Sequence, residues 1–181
     1  MPDNDARPTP GRAFFKSEHF AFAPASAHAI FWSLFIVGFT LDLWSKAAVF
    51  NWLGANESYS VIEGLLTIVT ANNPGAAFGI AAGRTAMLIS VSVVALIVVI
   101  CIFVMSGKER RITHIALGLF ASGVAGNLYD RAFNDGLVRD FIDVVYWPGK
   151  HWPAFNVADS MLCISVGLLI LSSLFSHKPA Q

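Results

Sequence analysis

Acidic and amide side chains recur at short spacings in otherwise apolar stretches of this chain. Asn127, Asp130 and Arg131 stand at positions i, i+3 and i+4 in "GNLYDR", and Asn156 and Asp159 stand at i and i+3 in "FNVADS". Side chains at these spacings lie on one face of a helix. A charge near the centre of a bilayer costs about 2.5–3.5 kcal/mol, so such groups normally face a bundle interior or a wet cavity. The two motifs therefore predict a shared polar pocket.

Three further motifs carry polar residues that could reach the same pocket. Asp42 and Lys46 in "LDLWSK" have the i, i+4 spacing of an ion pair on a helix. Asn73 lies in "NNPGAAFG", whose Asn, Pro and Gly residues favour a turn. Asp140 lies in "VRDFIDVVYW", and we expect Asp143, three residues later, to be an exposed acid in a loop.

Two carboxylates at one site suggest acid–base chemistry. In a poorly hydrated cavity such a pair tends to share one proton. The ionised member can then take a proton from water while the protonated member donates to a carbonyl oxygen, as in an aspartic peptidase. Spacing leaves open which two of five aspartates form the pair: Asp42, Asp130, Asp140, Asp143 and Asp159.

Structural roles compete with these chemical ones. Asn156 could be a helix N-cap with Asp159 favourable in the first turn, and Asp42 with Lys46 could be a purely structural ion pair. No metal or cofactor is expected, because the five histidines are scattered and no "HExxH" is present. A Ser–Lys dyad that uses Lys46 remains possible by spacing, although no serine is clearly paired with it.

The composition indicates the elements that must position these groups. Of the 181 residues, 55% are hydrophobic and 13% are charged, whereas about a quarter are charged in soluble domains. Apolar runs of about 20 residues can cross the hydrocarbon core as helices. The sequence therefore predicts an all-α membrane protein with four transmembrane helices. They span roughly Ala27–Phe50, Thr85–Met105, Ile112–Phe133 and Val157–Phe175.

The bias of Lys and Arg predicts the orientation of these helices. Seven basic residues fall on one side of the predicted membrane: Arg7, Arg12, Lys16, Lys108, Arg110, Arg111 and Lys178. We therefore predict cytoplasmic tails at residues 1–26 and 177–181, around a membrane domain at 27–176. The connections at about 52–84 and 134–156 then face outward. The β-branched stretch "YSVIEGLLTIVTA" predicts a small outer-surface β-sheet after the first helix.

In this order and topology, "LDLWSK", "NNPGAAFG", "GNLYDR", "VRDFIDV" and "FNVADS" resemble the motifs of the lipoprotein signal peptidase family, also called signal peptidase II. The resemblance covers about residues 28–176. It implies an intramembrane aspartic endopeptidase of the bacterial cell inner membrane, with its active site near the periplasmic face. Such enzymes remove the signal peptide from diacylglyceryl-modified prolipoproteins, and they cut on the N-terminal side of the lipidated cysteine.

The resemblance also implies roles for individual residues. Asp140 and Asp159 would be the catalytic pair, Asn156 would orient them, and Arg131 would hold Asp130 and the pocket wall. The implied residues that bind substrate or inhibitor and support the pair are Asp42, Lys46, Asn73, Asn127, Asp130, Arg131 and Asn156. The expected partners are prolipoproteins, membrane lipid and globomycin-type inhibitors. Net charge is zero, so we expect no nucleic-acid partner, and four helices could suffice as a monomer.

Two other classes of function compete with the peptidase. Intramembrane acids and a lysine also mark the ion paths of transporters and proton channels. The predicted polar groups cluster at one depth, and the second helix is nearly all apolar, which disfavours a path across the membrane. A structural membrane subunit would not need so many converging acids.

Overall fold

Four helices dominate the computed structural model, which describes residues 22–54, 57–75, 80–107 and 111–174. All four are long and apolar enough to cross a membrane, and this confirms the predicted helices. The shortest, with 18 residues, is about 27 Å long at 1.5 Å per residue. The helices are α1 Ala25–Trp52, α2 Thr85–Val104, α3 Arg111–Phe133 and α4 Val157–Leu174.

Most of the predicted tails and the basic loop lie outside the described residues. Residues 1–21, 108–110 and 175–181 are in this class, and they carry six of the seven basic residues on which the orientation depends. The inside–outside orientation therefore stays a prediction.

α3 is the central helix, and small residues let its neighbours approach closely. A Cβ at Gly123 would lie 2.6 Å from the carbonyl oxygen of Ala158 on α4, a distance that no side chain can accept. Small residues of this kind are what membrane helices use to pack their backbones together. At the other end of the bundle, Phe31 of α1 stacks on Phe103 of α2, with ring centroids 4.0 Å apart.

A four-stranded antiparallel sheet is formed by the connection between α1 and α2 together with the connection between α3 and α4. Its order is β1–β2–β3–β4, and the hairpin of the first two strands confirms the sheet predicted after the first helix. The other two strands lie between α3 and α4, where the sequence predicted a loop. The strands are β1 Ser58–Ile62, β2 Leu66–Asn73, β3 Val138–Trp147 and β4 Lys150–His151.

The third strand changes the position of two predicted acids. Asp140 pairs with Ala71 of β2 across the ladder, so it is fixed by a sheet. Asp143 lies on the same strand, half-buried, with its carboxylate 2.8 Å from His151 Nδ1. The prediction of an exposed loop acid at Asp143 is therefore wrong. The β-branched and aromatic residues of "VRDFIDVVYW" favour the strand despite its three charges.

Backbone hydrogen bonds hold this strand beside the start of α4. The amides of Phe141 and Ile142 donate to the carbonyl of Phe155 at 3.0 and 2.8 Å, and the Phe155 amide donates to Ile142 at 3.0 Å. Residue 155 immediately precedes the α4 cap. The fold therefore brings "VRDF" and "FNVADS" side by side although they are far from consecutive in sequence.

Candidate active site

The α4 helix begins with a reciprocal cap. The Asp159 amide donates to Asn156 Oδ1 at 3.0 Å, and the Asn156 amide donates to Asp159 Oδ2 at 3.2 Å. Both side chains thus satisfy backbone groups that the first turn leaves unpaired. The capping role considered as an alternative is present, and it leaves the Asn156 Nδ2 group available for other acceptors.

Asp140 receives two amide donors in a buried position. Its Oδ1 accepts from Asn156 Nδ2 at 2.6 Å, and its Oδ2 accepts from Asn73 Nδ2 at 3.0 Å. Only 2% of the residue is exposed. Burial, with a contribution from the Asp159 charge, raises the pKa of Asp140 to about 6, although both amide hydrogen bonds and Lys46 act in the opposite direction.

Asn73 is held in place by the turn in which it lies. It ends β2 opposite Val138, and its side chain reaches diagonally across the ladder to Asp140. Its Oδ1 accepts from the Gly75 amide at 2.9 Å, which is the side-chain turn typical of Asn. The remainder of "NNPGAAFG", residues 76–79, lies outside the described residues.

Asn127 connects the second aspartate to the rest of the cluster. Its Nδ2 donates to Asp159 Oδ1 at 2.8 Å. Its Oδ1 accepts from Asn156 Nδ2 and from Lys46 Nζ, both at 3.1 Å. A chain of hydrogen bonds through Asn156 and Asn127 therefore links Asp140 to Asp159. The two asparagines hold both carboxylates in place.

A cavity of about 600 Å³ opens in front of the two aspartates. Its lining residues fall into two sets by chemical character, which we call the polar wall and the apolar wall. The polar wall comprises Asn73, Asn127, Arg131, Asp140 and Asp159. The apolar wall includes Val138, Pro153, Phe155, Leu162 and Ile164.

Behind this wall lies a fully buried network of charges. Lys46 Nζ is 2.7 Å from Asp42 Oδ2 and 3.4 Å from Asp130 Oδ2, and the three side chains have no exposed surface. The i, i+4 ion pair predicted for Asp42 and Lys46 is confirmed. The second oxygen of Asp42 accepts from the Ala158 amide at 2.9 Å, so α1 also contacts the first turn of α4.

Gly126 makes room for this network. A Cβ at this position would collide with Asp42 Oδ2 and lie 3.3 Å from the Ala158 Cβ. Glycine therefore lets α3 approach the carboxylate of α1 directly. Sequence reasoning did not single out Gly126, although it begins the quoted "GNLYDR".

Two arginines, Arg131 and Arg139, divide the role that the sequence assigned to Arg131 alone. Arg131 was expected to hold Asp130, but its Nη2 donates to the Gly75 carbonyl at 2.9 Å and its side chain lines the cavity. Asp130 is instead bound by Arg139, whose Nη2 lies 2.6 Å from Asp130 Oδ1. Sequence reasoning missed Arg139 as a site residue, although it directly precedes Asp140 in "VRDF".

All nine residues singled out in the sequence lie at one end of the bundle. They form two connected groups, which are the aspartates with their asparagines at the cavity and the charge network behind it. Asn127 belongs to both, since it contacts Lys46 and Asp159. Arg131 joins the cavity wall through the loop at Gly75.

Comparison with known proteins points to one family. The family model "Signal peptidase (SPase) II" matches residues 34–175. The chain is 38% identical over 167 residues to the lipoprotein signal peptidase of Rhodopirellula baltica, covering 83% of this chain and 74% of the relative. It is 39% identical over 154 residues to that of Geobacter sulfurreducens, covering 83% and 95%.

The fold is also similar to that of a solved bacterial membrane enzyme, a structure obtained by the in meso method at 2.3 Å resolution. The TM-score is 0.74 at 27% identity, and the match covers 90% of this chain and 99% of that one. Together with the family match, this similarity favours a peptidase over a transporter or a structural subunit.

Proposed function

Because the chain belongs to the signal peptidase II family, we propose that Asp140 and Asp159 are its catalytic pair. It is a multi-pass membrane protein and an aspartic endopeptidase that removes signal peptides from prolipoproteins. The observation that supports the pair is a shared donor. Asn156 donates its side-chain amide to Asp140 and its backbone amide to Asp159, and both carboxylates line one cavity.

The two aspartates have different parts in the proposed mechanism. Asp140 is buried and its pKa is raised to about 6, so it is the member that holds the shared proton. Asp159 is half-buried at the helix start, and we assign it the ionised role. This division corresponds to a general acid and a general base in one site.

The reaction then proceeds in two balanced stages. Asp159 takes a proton from water as the water oxygen attacks the scissile carbonyl, and Asp140 gives its proton to the carbonyl oxygen. In the second stage Asp140 takes back a hydroxyl proton while the C–N bond breaks and Asp159 protonates the leaving amine. Both aspartates return to their starting states, and the products are a carboxyl group and a free amine.

The substrate we propose is a diacylglyceryl-modified prolipoprotein, cut on the N-terminal side of the lipidated cysteine. The apolar wall formed by residues such as Leu162 and Ile164 would accommodate apolar substrate groups next to the polar wall. The aspartates lie at the start of α4 and on the sheet, so the acyl chains can stay in lipid. With both termini cytoplasmic, as the bias of Lys and Arg predicts, this end of the bundle would lie near the periplasmic face of the bacterial inner membrane.

The experiment is a cleavage assay on the purified full-length protein in detergent or lipid. We expect release of the signal peptide, a product that begins with the lipidated cysteine, unchanged rates with a chelator, and inhibition by globomycin. The matched substrate is the same precursor without the diacylglyceryl group, which should remain uncut. Equal cleavage of both precursors would contradict the substrate assignment, and complete loss of activity with the chelator would contradict the two-aspartate mechanism.

A further inference from the structure

Four charges of alternating sign form a continuous ladder behind the proposed catalytic pair. In order they are Arg139 of β3, Asp130 of α3, and Lys46 and Asp42 of α1, with successive N–O distances of 2.6, 3.4 and 2.7 Å. The side chains of Asp130, Lys46 and Asp42 are completely buried, and that of Arg139 is 20% exposed. Each buried charge thus has an opposite charge as neighbour, which a stable buried network requires.

At each of its two ends, this charge ladder fixes the residue that immediately precedes one of the proposed catalytic aspartates. At one end, Arg139 is bound through its side chain and also through its backbone amide, which donates to Asp130 Oδ2 at 2.9 Å. At the other end, Asp42 Oδ1 accepts from the amide of Ala158 at 2.9 Å. Residues 139 and 158 are each one peptide unit from an aspartate, so the ladder connects the backbones that carry them.

We propose that Arg139 is a positioning residue, which anchors strand β3 to the charge ladder and thereby sets the separation of Asp140 from Asp159. The inference rests on the proposed function, because it takes those two residues as the catalytic pair. Arg139 itself acts through Asp130 and the backbone of β3.

The contacts of Arg139 fit this role better than that of a surface charge. Its Nε and Nη2 both donate to Asp130 Oδ1, at 3.2 and 2.6 Å. Its carbonyl accepts from Asn156 Nδ2 at 3.3 Å, so the backbone on both sides of its Cα is fixed. Charge-assisted hydrogen bonds are shorter and stronger than neutral ones, and three of them converge from Arg139 on a single carboxylate.

The consequence for catalysis is geometric. A misplacement of about 1 Å can reduce turnover by on the order of 10²-fold when the reacting groups must be aligned. Without Arg139, β3 still pairs with β2, so the part of the polar wall that contains Asn73 persists. The expected loss is therefore in the chemical step and much less in substrate binding.

The test measures kcat, KM and the melting temperature of Arg139→Gln, Arg139→Lys and the double variant Asp130→Asn/Arg139→Gln. We expect Arg139→Gln to lower kcat by about 10–100-fold with KM changed less than about threefold. Arg139→Lys keeps the charge but loses the two-pronged contact, and we expect it to recover part of the lost kcat.

The double variant separates positioning from charge balance. It removes the carboxylate that Arg139→Gln would leave without its arginine, so we expect the melting temperature to recover while kcat stays low. Recovery of kcat to the wild-type value would overturn the proposal, since an unpaired charge would then explain the whole effect. The matched control is His151→Gln, which removes the partner of another acid on β3, Asp143, and should leave kcat unchanged.

Asp140→Asn and Asp159→Asn, run in the same assay, distinguish the two proposals. Turnover by either of these variants would contradict the catalytic pair itself. If both are inactive while Arg139→Gln has the kcat of the wild type, the pair stands and the positioning role of Arg139 is refuted.

Discussion

Two pairs of carboxylates lie close together in this molecule, yet they have different kinds of partner. Asp42 and Asp130 bind cations, namely Lys46 and Arg139. The hydrogen bonds that reach the side chains of Asp140 and Asp159 come from neutral amides. The first pair is sealed from solvent, whereas the second lines the cavity.

The difference shows that neighbouring aspartates can serve two purposes, structural support and chemistry. A buried carboxylate with a cation in direct contact depends on that cation, and removing the cation is costly. Burial raises the pKa of Asp140 to about 6, so this carboxyl keeps its proton to a higher pH than an exposed aspartate does. We therefore interpret the inner pair as the support and the outer pair as the chemistry.

The largest expected effect comes from the centre of the support. Lys46→Met leaves Asp42 and Asp130 with one cation fewer in a region without exposed surface. Breaking a buried pair from one side costs about 3–5 kcal/mol. We expect a loss of this size in the free energy of unfolding, measured by denaturation in detergent. A loss below about 1 kcal/mol would mean that the network is not structural.

The next largest effect is expected at Gly126, which makes room for the buried charge network. Gly126→Ala would push a methyl group against the carboxylate of Asp42, and overpacking of this kind costs about 1–3 kcal/mol. The control is Gly167→Ala on α4, where a Cβ would meet nothing within 4 Å. We expect a clear fall in melting temperature for the first variant only. Equal melting temperatures would show that α1 and α3 can separate without cost.

A smaller effect is expected on the pH dependence of kcat/KM, which tests the protonation of the outer pair. In the wild type, kcat/KM should fall as the pH rises above about 6, because Asp140 then loses its proton. Asn73→Ala removes a hydrogen bond that lowers the pKa of Asp140. The alkaline limb should therefore move to higher pH, with kcat/KM at the optimum reduced by about tenfold, or 1.4 kcal/mol.

The neighbouring amide supplies the comparison for that profile. Asn72→Ala changes an exposed residue beside Asn73 and should leave the pH profile unchanged. A limb that moves to lower pH in Asn73→Ala would contradict the assignment of the proton to Asp140.

The smallest effect is expected for a substitution of Asp143, three residues after Asp140, the proposed general acid. Asp143 shares β3 with Asp140, but it pairs with His151, whose side chain is 54% exposed. Exposed ion pairs contribute about 0–1 kcal/mol. Asp143→Asn should thus keep wild-type turnover and nearly wild-type stability, as measured by the cleavage assay and thermal denaturation. A loss of turnover comparable to that of a catalytic variant would extend the site beyond the outer pair.

Much of this arrangement could be predicted from sequence because membrane helices have strong signals. Apolar length marks the four spans, and polar residues inside them stand out against that background. The i, i+4 spacing was enough to pair Asp42 with Lys46. The spacing in "FNVADS" was enough to place Asn156 and Asp159 on one turn.

What the sequence did not reveal depends on contacts between distant segments. The strand at 138–147 carries three charges, so its sequence resembled a loop, and only the pairing with β2 defines it as a strand. Arg139 and Arg131 are both plausible partners of Asp130, and only the geometry of β3 selects Arg139. Gly126 has meaning only because Asp42 of another helix lies against it.

The most direct test of the central claim measures turnover and melting temperature of Asp140→Asn and Asp159→Asn together. We predict that each substitution lowers kcat by at least about 10³-fold, because the carboxylate is lost. The protein should stay folded, because Asn has nearly the same shape and its one oxygen can still accept one of the two amide hydrogen bonds at each site. Turnover close to that of the wild type in either variant, with the protein folded, would contradict the claim that these two aspartates perform the chemistry.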